Sequence, residues 1–356
     1  MQKLIISCLL FLVFSLDTVA EDLPKKRDSL FLQMTSAIEQ GQYTKVHSVL
    51  IFKGDKPVYE HYFNGFTQDS LHDSRSSFKS ITSLLVGIAV DRGLIKSIDQ
   101  KVYEFFPEYP AFKMDKLKME MTLRNLLEMK SGFDCEEFND TKDCENEMSL
   151  SKDWVKFSLD LPMKYKPGTV WSYTSIAPMI LSGVINKATG VSIMEFAKKY
   201  LFGPLEISDY KWTVDPAGHG MTAGSFYIHP MDMIKLGRLV QNNGLWNGKR
   251  VISQQWISQS THCDIPIPDF SFAKSSRSHF LLPQPTYYGF YWYRELLKTK
   301  DLQQELLFAS GNGGQFIFIL KDLGLTVVFT QGNYSSFKSK QAFEILGRYI
   351  IPSFLK

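Results

Sequence analysis

Cysteine is scarce in this chain, four in 356 residues, so the fold has to rest on a hydrophobic core, which a chain of this length fills easily. The seven histidines do not cluster, and neither a histidine nor a second cysteine pair sits at ligand spacing near Cys135 and Cys144. No metal and no cofactor is expected on that account. There is no Gly-x-Ser-x-Gly elbow and no His-Glu-x-x-His, which counts against an α/β-hydrolase and a zinc protease. The formal net charge is only +3, with both signs spread along the chain, and this argues against nucleic acid as a partner. Beyond the first twenty positions no apolar run is long enough for a membrane helix. No internal repeat or low-complexity linker marks a boundary between independent folding units.

The one long apolar run, Leu4 to Leu16, is followed by Asp17-Thr18-Val19-Ala20 and then by the polar Glu21 to Arg27. It has the pattern of a secretory signal cleaved after Ala20, with attachment of a lipid at Cys8 as an alternative disfavoured by the apolar residues that continue past it. Export to a periplasmic or extracellular compartment follows, and 21–356 is then one domain. In such a compartment Cys135 and Cys144, at either end of an acidic loop, can pair, leaving Cys263 as a free structural thiol.

Local patterning places a short helix over Ser29–Gln40, then a hairpin of Val46–Phe52 and Pro57–Phe63 about Lys53-Gly54-Asp55-Lys56. Between about 80 and 280 the chain is mostly helical: Ser80–Gly93, Leu123–Met129 capped by Thr122, Lys152–Leu161, Met179–Ala188, Ile193–Tyr200, Pro230–Asn242 and Ser253–Ser260. Strands return at Gly289–Tyr293, Gln315–Leu320 and Leu325–Thr330, before a closing helix Gln341–Ile350. Strands at about 40–75 and 285–350 with helices between them predict an α+β fold. Its antiparallel sheet is built from both termini, flanked by terminal helices, with a helical region inserted.

The chemistry-bearing stretch is Ser76-Ser77-Phe78-Lys79, leading into the apolar Ile81 to Ala89. Residues three apart lie on one face of a helix, so the Lys79 ammonium falls beside the Ser76 hydroxyl. A serine becomes a nucleophile when an adjacent base takes its proton, and a lysine serves once burial favours its neutral form. A Ser-x-x-Lys pair also recurs by chance. The weight comes from two further motifs in order: Tyr173-Thr174-Ser175 after the Pro167-Gly168 turn, and Ser310-Gly311-Asn312-Gly313-Gly314-Gln315 opening a late strand.

In that order and rough spacing the three motifs resemble the serine β-lactamase and penicillin-binding-protein superfamily, closest to its class C-like branch with esterases, D-aminopeptidases and nylon-oligomer hydrolases. The resemblance extends over Thr122–Gly132, Pro167–Tyr173 and Gly183–Gly190, and covers roughly residues 40 to 350. It implies a β-lactamase-like fold and an acyl-enzyme on Ser76, with Lys79 and Tyr173 as the acid/base pair. Ser175 stands where a Tyr-x-Asn pattern often has its amide, and a backbone N–H near Gly311 would join that of Ser76 as an oxyanion hole, with Ser310 and Asn312 beside it. The third motif departs from the pattern: where a cation precedes the glycine in Lys-Thr-Gly or His-x-Gly, this chain has Phe308-Ala309-Ser310. A small ester or uncharged amide is therefore expected in preference to a penicillin. The alternatives are a non-catalytic binding or sensor protein on the same fold, and a true β-lactamase or D-Ala-peptidase. His72, His219, His229 and the aromatic group Tyr287, Tyr288, Phe290, Tyr291 and Trp292 are candidates either for lining the site or for packing.

Overall fold

The computed structural model describes residues 16–137 and 142–355, so most of the expected export signal, Cys8 included, lies outside the described residues. Eight strands form one antiparallel sheet: β1 (Val46–Lys53), β2 (Lys56–Tyr62), β3 (Ile265–Pro266), β4 (Thr286–Tyr288), β5 (Tyr293–Lys298), β6 (Gln303–Gly311), β7 (Gln315–Leu320) and β8 (Leu325–Gln331). Their order is β2-β1-β8-β7-β6-β5-β4-β3, so the N-terminal hairpin docks on the last strand. The joint between the two ends of the chain is the β1–β8 ladder, with Val49 opposite Phe329 and Ile51 opposite Val327, and Ser48 and Thr330 sharing a 2.7 Å side-chain hydrogen bond. Every residue of β7 and β8 is buried, which explains why they read as unbroken apolar runs: both faces of the sheet are covered.

Five helices matter for the layers: α1 (Leu16–Glu39), α2 (Phe78–Asp91), α3 (Ile176–Thr189), α4 (Pro230–Gln241) and α5 (Gln341–Ile345). On one face α4 approaches so closely that a Cβ on Gly237 would lie 2.6 Å from Thr326 Cγ2 and 2.7 Å from Ile317 Cγ2. Alternate residues of β7 point the other way, and there Phe316 and Phe318 meet Phe343 of α5 edge-on. The α1 helix packs on the closing segment Leu346–Phe354. Among the described residues no single helix is long and apolar enough to cross a membrane.

Much of the inserted region agrees with the sequence reading. Thr122 caps Leu123–Leu127 by accepting from Asn125 N, Asp153 caps Trp154–Asp160, and Gly190 ends α3 with φ +73°. Three elements differ. The first helix begins at Leu16 rather than Ser29, so the junction expected at Ala20 falls inside it. The strand expected over Gly289–Tyr293 is split, since Gly289 to Trp292 bends between β4 and β5, with Tyr291 at φ +66° and its hydroxyl donating to the Leu126 carbonyl at 2.9 Å. Rings that read as strand residues are there because a buried corner needs them. Finally, β6 has no counterpart in the sequence reading, because Gln303-Gln304-Glu305 hides its apolar continuation; the glycine motif spans the turn, with Ser310 and Gly311 ending β6 and Gln315 opening β7 as expected.

Candidate active site

The chain enters the site from a two-residue strand, His72–Asp73, paired with Phe226–Ile228, and turns through a 3-10 segment, Arg75–Ser77, directly into α2. Arg75 carries φ +49°, an uncommon conformation for a residue with a side chain. Asp73 over-determines it: one carboxylate oxygen accepts from Arg75 N at 2.9 Å, the other pairs with the guanidinium at 2.9 Å, and that guanidinium rests on the Tyr334 ring. The nucleophile candidate follows at once, so Ser76 is held by a strained turn on one side and a buried helix on the other.

Lys79 is in the first turn of α2 and only 2 % exposed. Its Nζ donates to Ser76 Oγ at 3.0 Å and to Ser175 Oγ at 3.3 Å, and lies 4.6 Å from the centre of the Tyr173 ring. Burial pulls the Lys79 pKa down, while the Glu137 and Glu145 carboxylates act to raise it. Tyr173 is shifted the opposite way: burial raises its pKa, against the effect of hydrogen bonds with Ser76 and with Tyr293 of β5. The segment bearing Tyr173 and Ser175 is pinned alongside residues 129–137, through Ser172 N to the Met129 carbonyl, Ser172 Oγ to the Cys135 carbonyl and Glu137 N to the Tyr173 carbonyl, at 2.8–2.9 Å.

Gly311, the last residue of β6, explains its own identity. A Cβ there would sit 2.4 Å from the Ser74 carbonyl oxygen and 3.1 Å from Ser77 N, so only glycine lets the strand end meet the nucleophile turn. Ser76, Tyr173, Ser310, Gly311 and Asn312 all line one cleft of about 570 Å³, together with Tyr293 and the 223–225 segment. Lys340, in the turn before α5, lines it too. Its ammonium lies over the Phe272 ring at 5.9 Å and forms no ion pair with any described residue. The strand motif lacks a cation, but the cleft has one from another element.

Sequence reasoning missed Glu137 and Glu145. They lie within and just after the loop that Cys135 and Cys144 close as a disulfide. Glu137 accepts from Ser175 N at 2.6 Å, Ser175 Oγ at 2.8 Å and Thr174 Oγ1 at 2.9 Å; Glu145 accepts from Ser175 Oγ at 3.1 Å. Two acids flanking a cysteine pair were the available signal. The histidine candidates take no part in the cleft. His229 bonds Asp209 at 2.8 Å, His219 faces Asp153 at 3.6 Å, and His72 is buried against Phe66 and His47. The Asp153, Asp215 and His219 group is close-set, but Asp215 already accepts from Trp154 N and His219 N. Of the aromatic group, Tyr288, Phe290, Tyr291 and Trp292 are core residues, and Tyr293 is the neighbour that reaches the cleft. Cys263 is buried and unpaired.

Known proteins agree with this architecture. The Beta-lactamase family model matches residues 34–346. A curated relative, 6-aminohexanoate-dimer hydrolase of Paenarthrobacter ureafaciens, is 25% identical over 244 residues, 65% of this chain and 60% of its own length. The chain thus spans about three fifths of the length of that relative. Among solved structures, a Bacillus anthracis protein provisionally named 6-aminohexanoate-dimer hydrolase superposes with TM-score 0.69 at 16% identity, covering 88% of this chain and 80% of its own. The octameric penicillin-binding protein homologue from Pyrococcus abyssi superposes with TM-score 0.66 at 18% identity, covering 91% and 78%. With a match across most of its length and the mixed fold about a large antiparallel sheet, the chain belongs to the Beta-lactamase family.

Proposed function

We propose that this protein is an exported serine hydrolase that cleaves a small amide or ester through an acyl-enzyme on Ser76. The observation that carries the reading is the buried Lys79, whose Nζ reaches Ser76 Oγ at 3.0 Å. Desolvation favours its neutral amine, which can take the serine proton as the oxygen attacks the carbonyl. Tyr173 keeps its proton, since burial raises its pKa, so its part is to pass a proton to the leaving group. The N–H groups of Ser76 and of the Gly311–Asn312 turn would hold the oxyanion, and the close approach of Gly311 to the Ser74–Ser77 turn supports this. Water then releases the acid.

An amide is favoured over an ester by the name of the curated relative, since a dimer of an amino acid is joined by an amide bond. Export rests on the apolar segment before Ala20 and accords with the Cys135–Cys144 bond. The test is covalent labelling. A fluorophosphonate probe should add mass at Ser76, p-nitrophenyl butyrate should be turned over, and Ser76→Ala should abolish both. Absence of labelling in the wild-type protein overturns the reading; labelling without turnover points to a sensor.

A further inference from the structure

We propose that Glu137 is a positioning residue of this site: it holds the Ser175 hydroxyl towards Lys79 and supplies the countercharge for the ammonium formed when Lys79 takes the Ser76 proton. The inference rests on the acyl-enzyme reading above. It starts from the hydrogen-bond inventory of one hydroxyl. Ser175 Oγ has a single proton to give and lone pairs to receive with. Its proton goes to a carboxylate, Glu137 Oε2 at 2.8 Å or Glu145 Oε2 at 3.1 Å, which leaves a lone pair for Lys79 Nζ at 3.3 Å. The second oxygen of Glu137 is held by Ser175 N at 2.6 Å and Thr174 Oγ1 at 2.9 Å, so the carboxylate cannot turn away.

A serine reaches less far than the amide of a Tyr-x-Asn pattern, and the carboxylate behind it completes the arrangement. The order is nucleophile, base, orienter, acid: Ser76, Lys79, Ser175, Glu137. During attack the Ser76 O–H bond breaks, a third N–H bond forms on Lys79, and the electron pair left on Ser76 Oγ makes the bond to the carbonyl carbon. The product is a buried ammonium. Burial raises the Glu137 pKa, but the Lys79 charge and the Ser175 N–H and O–H donors oppose that shift, and the carboxylate they hold in place stabilises the ammonium without reorganisation. The ionisable and polar groups facing Lys79 are Ser76 from its own turn, Tyr173 and Ser175 from the segment before α3, Glu137 from the disulfide loop and Glu145 just after Cys144. Behind them stand Tyr293 of β5, bonded to Tyr173, and Asp73, paired with Arg75.

The experiment is the pH profile of second-order fluorophosphonate labelling of the full chain. Glu137 favours the charged lysine, so in Glu137→Gln the acidic limb should move to lower pH. The plateau should nevertheless fall about tenfold to a hundredfold, the worth of one hydrogen bond to a charged group. Glu137→Asp should keep the limb near its wild-type position. A limb and plateau unchanged in Glu137→Gln, or limbs equally shifted in both variants, overturn the inference while leaving the function reading intact. Should Glu137→Gln fail to fold, Ser175→Ala decides: a lowered plateau with an unmoved limb supports the proposal, and labelling at the wild-type rate overturns it. A wild-type protein that is not labelled at Ser76 refutes the function reading instead.

Discussion

Lys79 bonds Ser76 and Lys340 lines the same cleft, yet their surroundings differ. Lys79 is 2 % exposed and bonded to Ser76 and Ser175, the groups with which the proposed reaction has it work. Lys340 is partly exposed, lies over the Phe272 ring, and lines the same cleft as Ser310, Ser336 and Ser339. Burial alone lowers its pKa, and an acidic partner would offset that cost. A carboxylate on the substrate can be that partner. We therefore expect Lys340→Met to lower kcat/KM about tenfold or more for an amide bearing a carboxylate, through KM, and to leave its neutral methyl ester nearly unaffected. Equal losses on both substrates would show that Lys340 serves only the fold. At this scale the pairing of Ser76 with Lys79 was legible from a spacing of three on one helix, whereas Tyr173, Ser175 and Gly311 were legible only through the resemblance of their motifs to the family. Glu137 and Lys340 were not, since nothing in their own neighbourhoods says that they face Ser76.

The disulfide loop is the element on which the two acids depend. Cys135 and Cys144 are nine residues apart, and closing a loop of that size stabilises the fold by roughly 3 kcal/mol through loss of unfolded-chain entropy. Glu137 and Glu145 lie two residues and one residue beyond the two cysteines, so the bond limits how far either carboxylate can drift from Ser175. Replacing both cysteines with serine should lower the thermal midpoint and, with the fold retained by circular dichroism, slow fluorophosphonate labelling about as much as Glu137→Gln does. Lowered stability with unchanged labelling would separate the loop from the chemistry. The elements of the sheet were unequally legible. The apolar β7 and β8 announced themselves, whereas β6 begins with Gln303-Gln304-Glu305, and the Gly289–Trp292 corner has strand composition without strand geometry.

Across the whole molecule, the turn from β2 into the His72–Asp73 strand joins the sheet to the helical region, and it is packed by His47, Phe66 and His72. The His47 and Phe66 rings stack at 3.8 Å, and the His47 and His72 rings lie 5.4 Å apart. Burial, with smaller effects of the nearby His47 and His229, brings the His72 pKa down from 6.5 to about 4. A histidine that is harder to protonate when folded contributes stability above its unfolded value, and that contribution is lost as pH falls from 6.5 towards about 4, where the unfolded chain binds more protons. For His72 this amounts to roughly 3 kcal/mol. Buried carboxylates with raised pKa values, such as Glu295, act in the opposite direction over part of this range. The clean measurement is therefore a difference. The denaturant stability of wild type minus that of His72→Phe should rise between pH 4 and 6.5, and a flat difference would contradict the assignment.

Periodicity, turn chemistry and a spacing of three on one helix are enough to set the hairpin, the long helices, the two apolar strands and the contact of Ser76 with Lys79. Only the tertiary structure decided that the N-terminal hairpin pairs with β8, that the end of β6 presses on the Ser74–Ser77 turn, and that Glu137, Glu145 and Lys340 join the cleft. These are contacts between segments as much as 280 residues apart, exemplified by the Ser48–Thr330 hydrogen bond at a separation of 282. Local preference carries no information about such pairs; they follow from how the two faces of one sheet are covered.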